Sequence, residues 1–337
     1  MPLTQEPLTL QLARPFTIAR GTQTEAGNVL VRLQDDGLEG LGEGAPSEHY
    51  GDTYDSTAAF LKSAAGQISA GAPISSVHES LDGIARLNPA AKAAVDMACY
   101  DLLGKRLGAP VYELLGLDPA RAPRTSFTIG IDSPDVMAQK AGAAAGFPIL
   151  KVKVGTDRDI ENLEAIRSVS NAVIRVDANE AWHPKQAVAA ITELDRFDIE
   201  LVEQPVPAAD LAGLGYVRDR SPVPIIADEA AVIPADVPRV APFVDGINIK
   251  LMKCGGIYPA LQMIHTARAH NLLVMMGCMI ESSLAITAAA QLSPLLDFAD
   301  LDGHLLIRDD PFEGVSVHEG RLVLPHGSGL GVEKRGG

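Results

Sequence analysis

Five charged residues, Lys153, Asp177, Glu203, Asp228 and Lys250, each end an apolar run, and they follow one another at intervals of 24, 26, 25 and 22 residues. One strand, one helix and their two turns need about that length of chain. Residues repeated at this interval become neighbours along one edge of a parallel sheet. From Thr125 onward eight β-rich runs, SFTIG, ILKVKVG, VIRVDAN, IELVEQP, VPIIADE, DGINIKL, LLVMMGC and FADLDG, alternate with segments rich in Ala, Leu and Ile. Eight such units predict a (β/α) barrel, whose C-terminal rim is where catalytic groups collect. An open doubly wound sheet would carry a glycine-rich phosphate loop after its first strand, and none follows SFTIG.

The N-terminal part reads differently. Residues 7–13, 28–34 and 38–43 alternate as short strands, the last two joined by Asp35-Asp36-Gly37, an Asp-Gly hairpin signal. Helical patterns follow at about 53–69, 75–86 and 89–107, the last with Pro89 at its start and Gly108 at its end. The expected division is an α+β capping domain over 1–120, a barrel over 121–310 and a C-terminal segment over 311–337.

Composition narrows the chemistry. At 337 residues with 47% hydrophobic and 21% charged residues, the chain has globular balance, and disorder is not expected. A formal net charge of −15 with no basic stripe disfavours nucleic acid and anionic membranes. The N-terminus lacks a basic region followed by an apolar run, and no stretch reaches the roughly 18 apolar residues of a membrane helix, so a cytoplasmic protein is expected. Cys99, Cys254 and Cys278 are odd in number and far apart, which argues for free thiols. The histidines show no HxxxH or HExxH spacing, against a zinc site. A small molecule is the expected partner. The oligomeric state is left open, a homo-oligomer included.

Asp177, Glu203 and Asp228 would stand side by side on the rim and repel one another. One acidic residue after a strand is ordinarily a helix N-cap. Three at successive barrel intervals, bracketed by lysines, call instead for a hard divalent cation held by oxygen ligands, with Mg²⁺ the expected species. Lys151 and Lys153 are two apart and so share one face of their strand. Repulsion between them and partial desolvation would lower a lysine's pKa toward that of a usable base. Lys250 ends a strand roughly opposite, while Lys253 reads as a solvated loop charge. A substrate carboxylate bound to the cation would lie between Lys153 and Lys250, and removal of its α-proton would create negative charge that the metal and Lys151 offset.

Together KVK, VDAN, VEQP, ADE and NIKLMKCGG, in this order and at these spacings, resemble the muconate-lactonizing subgroup of the enolase superfamily. The resemblance spans nearly the whole chain. It implies a modified (β/α)₇β barrel of TIM type under an N-terminal α+β cap, with Asp177, Glu203 and Asp228 as Mg²⁺ ligands and Lys153 and Lys250 as the acid/base pair. The shared core does not separate racemases and epimerases from succinylbenzoate synthases and muconate cycloisomerases. Two further features resemble the dipeptide epimerases of the L-Ala-D/L-Glu type. Asp300-Leu301-Asp302 matches an Asp-x-Asp pair that holds a dipeptide ammonium, and Arg20 matches an arginine that pairs with the glutamate side chain. Thr128 matches a substrate-contacting position, and Tyr50 is expected to line the pocket from a second capping loop.

The resemblance thus implies an isomerase that epimerises a dipeptide, with murein-peptide salvage as its setting. Succinylbenzoate synthase or muconate cycloisomerase chemistry is the alternative, and a catalytically silent binding protein a distant one. Trp182 and His183 are read as pocket wall or packing, and Glu281 as an N-cap or an outer pocket residue.

Overall fold

The computed structural model describes residues 3–68 and 71–336. Its first unit is an antiparallel sheet of β1 (Leu3–Ile18), β2 (Gly21–Asp35) and β3 (Leu38–Gly44) in that order. Asp36 and Gly37, with φ of 49° and 76°, form the tight connection from β2 to β3 that the Asp-Gly pair predicts. β1 and β2 run well beyond residues 7–13 and 28–34, pairing from Leu3↔Leu33 to Ile18↔Gly21 with an irregularity between Gln11 and Phe16. This outer ribbon is largely exposed, so it carries no apolar alternation that the sequence could reveal.

Helices α1 (Tyr54–Ala64), α2 (Ile74–Ile84) and α3 (Pro89–Leu107) cover one face of the sheet. β3 and α3 approach unusually closely. A Cβ at Gly40, Gly42 or Gly44 would collide with the carbonyl oxygen of Ala98, Ala94 or Ala90 respectively. Glycines at every second strand position thus face alanines at every fourth helix position, the two natural repeats of those elements.

After the short α4 (Val111–Leu114), strands and helices alternate: β4 (Phe127–Ile129), α5 (Pro134–Ala143), β5 (Ile149–Lys153), α6 (Asp159–Arg167), β6 (Val173–Asp177), α7 (Pro184–Leu194), β7 (Ile199–Glu203), α8 (Leu211–Arg218), β8 (Ile225–Ala227), α9 (Val237–Val240), β9 (Gly246–Ile249), α10 (Leu251–Cys254), α11 (Ile257–Ala269), β10 (Leu273–Met276), α12 (Ser283–Ala290) and β11 (Phe298–Ala299). β4 to β11 are parallel neighbours in chain order. A parallel bridge between Thr125 and Ala299, with the Ser126 N–H donating to the Ala299 carbonyl at 3.1 Å, joins the first strand to the last and closes the barrel. Among the described residues no barrel helix follows β11, as a (β/α)₇β arrangement requires.

The C-terminal residues run back to the cap. Asp101 on α3 accepts from the N–H groups of Leu41 and Leu330, both at 2.8 Å, and so ties sheet, helix and C-terminal segment together. Among the described residues no helix is long and apolar enough to cross a membrane.

Candidate active site at the barrel mouth

Strand register builds the site. Lys153 on β5 stands beside Asp177 on β6, and Asp177 beside Glu203 on β7. Asp228 follows directly after β8, and Lys250 directly after β9. Asp177, Glu203 and Asp228 are fully buried, and one carboxylate oxygen from each lies within 4.8 Å of the others. Asn248 donates to Glu203 Oε1 at 2.8 Å. Glu203 Oε2 pairs with Lys151 Nζ at 2.8 Å and, among the described residues, makes no hydrogen bond. A buried oxygen without a hydrogen bond, within an all-oxygen set of this span, fits a hard divalent cation such as Mg²⁺. Burial, and then the neighbouring Asp177, push the Glu203 carboxyl up to about 8.

The lysines sit around these carboxylates. Lys153 Nζ is 2.6 Å from Asp177 Oδ2, and Lys250 Nζ is 2.6 Å from Asp228 Oδ2. β5 and β9 are four places apart in the ring of eight strands, so the two ammonium groups rise from opposite sides of the mouth. Lys151 lies below, 2.7 Å from Asp300 Oδ2 and 3.1 Å from Asp177 Oδ2. The expected lowering of its pKa is not what the structure contains. Burial would depress the Lys151 ammonium, but Asp300, Glu203 and Asp177 outweigh it and raise it well above the ordinary lysine value. Lys250 is likewise raised, because Asp228 overcomes its burial.

Lys253 also departs from the sequence expectation. It is fully buried rather than solvated, and its ammonium donates to Asp228 Oδ1 at 2.5 Å and to the carbonyls of Asp228, Asn248 and Ala231. The helical turn α10 begins directly after Lys250, so a residue three further on returns to the same side of the chain. That spacing was the available signal.

Asp300 and Asp302 are both buried beside Thr128. Asp300 is already engaged by Lys151 and by Ser126 Oγ at 2.7 Å. Asp302 takes the Thr128 N–H at 2.6 Å and the Thr128 hydroxyl at 3.2 Å, with no cation beside it among the described residues. Burial and then Asp300 push its carboxyl up to about 7. Tyr50, on the capping loop, is close enough to Asp228 and Lys250 to feel both charges, and burial raises its phenol far above the ordinary value.

Arg20 occupies the two-residue turn between β1 and β2 and reaches the rim. Its Nη1 contacts Glu229 Oε1 at 2.7 Å, Glu180 Oε2 at 3.3 Å and the Asn179 carbonyl at 3.3 Å. Glu229 and Glu180 were not singled out from the sequence, although each follows closely on one of the rim carboxylates. Asn179, Glu180 and Gln204 all have positive φ, at 42°, 69° and 34°. Such backbone is uncommon for non-glycine residues and concentrates at functional sites. Trp182 packs in the main core, and His183 is exposed ahead of α7. Glu281 is buried, accepts the Met279 N–H at 2.7 Å and does not cap α12, a role that Ser282 fills.

Sequence comparison decides the family. Residues 4–116 match the mandelate racemase / muconate lactonizing enzyme N-terminal domain, and residues 136–335 match the enolase C-terminal domain-like family. The chain belongs to the enolase superfamily. Within this superfamily it is 43% identical to an L-Ala-D/L-Glu epimerase from Bacteroides thetaiotaomicron, over 99% of this chain and 88% of that protein. It superposes on the dipeptide epimerase of Enterococcus faecalis V583, solved with Mg and L-Leu-L-Tyr, with TM-score 0.93 and 40% identity over 98% and 99% of the two chains. A substrate-liganded L-Ala-D/L-Glu epimerase from Bacillus subtilis superposes with TM-score 0.92 and 35% identity, over 98% of each chain.

Proposed function

We propose that this chain is a Mg²⁺-dependent dipeptide epimerase that inverts the α-carbon of the C-terminal residue by 1,1-proton transfer, with L-Ala-D/L-Glu as its substrate. The observation that carries this reading is the pair of buried lysines on opposite sides of the mouth, flanking three buried carboxylates. Inversion needs an acid and a base on opposite faces, because a single base tends to return the proton to the face it left. Lys153 and Lys250 have that disposition, and they exchange roles with the direction of reaction. Asp177, Glu203 and Asp228 would hold the cation, which when bound supplies positive charge at the substrate carboxylate and offsets the charge left by the departing proton. Lys151 adds a second positive charge from below.

Recognition of the rest of the dipeptide follows from charge. Among the described residues the buried Asp302 carboxylate has no ion-pair partner, and a substrate ammonium would supply one, with Asp300 beside it and Thr128 fixing its orientation. The α-carboxylate being committed to the metal, Arg20 is left for the glutamate side chain, while Tyr50 lines the pocket between them. In this reading residues 1–120 form the cap, 121–310 the barrel, and 311–337 a C-terminal segment that returns to the cap. The three free cysteines support a reducing, cytoplasmic setting, and the net charge of −15 disfavours nucleic acid and anionic membranes as partners.

The test is α-proton exchange in D₂O, followed by NMR and chiral analysis, against dipeptides, N-acyl amino acids and cyclohexadienyl acids with and without Mg²⁺. Exchange with inversion of L-Ala-L-Glu, abolished by chelation and restored by Mg²⁺, is expected. Preference for a substrate without a free ammonium, or full turnover after exhaustive chelation, would overturn the assignment.

A further inference from the structure

Arg20 is bound at one corner only. All its hydrogen bonds among the described residues are made by Nη1, to Glu229, Glu180 and the Asn179 carbonyl. Its Nε and Nη2, the pair that forms the side-on fork of a guanidinium, have no protein partner among the described residues. The Glu229 side chain is 1% exposed against 32% for Arg20, so the carboxylate is the rigid member of the pair and the arginine the adjustable one. Glu229 is itself held from the rim, where Asn179 Nδ2 donates to the same Oε1 at 3.2 Å. Glu180 is fixed as well. Its Oε1 accepts the Ala208 N–H at 2.7 Å, and its N–H donates to the Gln204 carbonyl at 2.9 Å, over the backbone stretch with positive φ. The barrel therefore presents a built socket for one nitrogen of an arginine that arrives from the tip of a long cap hairpin.

We infer that Glu229 is a positioning residue for substrate selection: it seats Arg20 by Nη1 and thereby leaves the Nε–Nη2 edge to take an acidic substrate side chain as a two-bond fork. This rests on the reading of Arg20 as the partner of that side chain. A flexible arginine on a hairpin turn otherwise loses considerable rotamer freedom when it engages a carboxylate, and a seat that fixes it beforehand removes much of that cost. The same contact joins the tip of the hairpin to the barrel rim. A carboxylate that only masked the Arg20 charge would instead weaken its attraction for an acidic side chain, so the two roles differ in the sign of the effect.

The experiment measures kcat and KM separately for L-Ala-L-Glu and L-Ala-L-Met in wild type, Glu229→Gln, Arg20→Met and the double variant, each with a Mg²⁺ titration because Glu229 adjoins Asp228. Gln keeps the shape and one acceptor oxygen while removing the charge. The expected result for Glu229→Gln is a loss of kcat/KM on L-Ala-L-Glu at least about tenfold greater than on L-Ala-L-Met, carried mainly by KM. Once Arg20 is Met, Glu229→Gln should add no further selective loss. A selective loss in Arg20→Met but not in Glu229→Gln would overturn the positioning role while leaving Arg20 as selector. No selective loss in either would overturn both. Improved use of L-Ala-L-Glu in Glu229→Gln would make the carboxylate a mask. Equal losses on both dipeptides with a weakened Mg²⁺ response would move its effect to the cation site, also against the inference.

Discussion

The lower and upper interiors of the barrel come from the same strands and have opposite chemistry. On β7, Leu201 and Glu203 share a face two residues apart; Ile226 and Asp228 repeat the pattern at β8. Leu201, Ile226 and Met275 form a fully buried apolar plug below. Lys151, Lys153, Asp177, Glu203, Asp228 and Lys250 fill the space above with buried charge. The plug stabilises the fold by removing apolar surface from water. The upper layer is held by ion pairs and hydrogen bonds, which barely offset the desolvation of so many ions. A two-residue step along a strand thus separates what stabilises the fold from what prepares it for chemistry.

The strongest way to break this comparison is at the lysines. Lys153→Ala and Lys250→Ala should each lower epimerisation by about 10²–10⁴-fold, the usual contribution of a positioned acid or base, while the protein stays folded. One of them should still exchange the α-proton of a single enantiomer. If both variants exchange both enantiomers with deuterium at the wild-type rate, the upper layer is not the acid/base machinery.

Lys253 is a buried charge of the upper layer whose ammonium is taken up by backbone carbonyls and Asp228. Breaking a buried pair costs about 3–5 kcal/mol, and Lys253→Met should fall near the lower end because Lys250 still faces Asp228. Urea denaturation reads the loss; a variant as stable as wild type would return Lys253 to the status of a spectator. In the plug, Leu201→Ala should cost about 2–5 kcal/mol through lost burial and the cavity it leaves. Its folded enzyme should keep proton exchange, and exchange lost without a loss of stability would erase the distinction between the layers.

The barrel and its rim could be read from the chain because each charge ends its own strand, so the interval between charges reports the fold directly. What escaped depended on pairs remote in sequence. Lys151 looked destabilised by its neighbour Lys153 two residues away, but the charge that governs it belongs to Asp300, 149 residues on. Arg20 was visible as a cation on a capping loop, whereas its partners Glu180 and Glu229 lie 160 and 209 residues away. The outer halves of β1 and β2 were missed because a solvent-exposed ribbon has no buried face to impose alternation.

The smallest expected effect distinguishes the layers by pH. Glu281 lies buried at the mouth, and burial, together with nearby Glu43, pushes its carboxyl from an ordinary 4.5 up to about 8. A raised carboxyl favours the neutral folded form. The stability associated with it is therefore complete below about pH 4.5 and is lost as pH rises from there through about 8, the interval over which the folded protein retains a proton that the unfolded chain has released. Glu281→Gln is neutral at every pH and keeps an oxygen for the Met279 N–H. Its Tm should match wild type near pH 5 and exceed it by a few degrees near pH 9, with the gap opening between. Leu201→Ala carries no titrating group, so its Tm deficit should stay nearly level across the same range. Calorimetry of the three proteins from pH 5 to 9 makes the comparison. Parallel curves for wild type and Glu281→Gln would mean that Glu281 is ionised in the folded protein throughout, and a gap opening toward acid pH would reverse the sign and defeat the assignment.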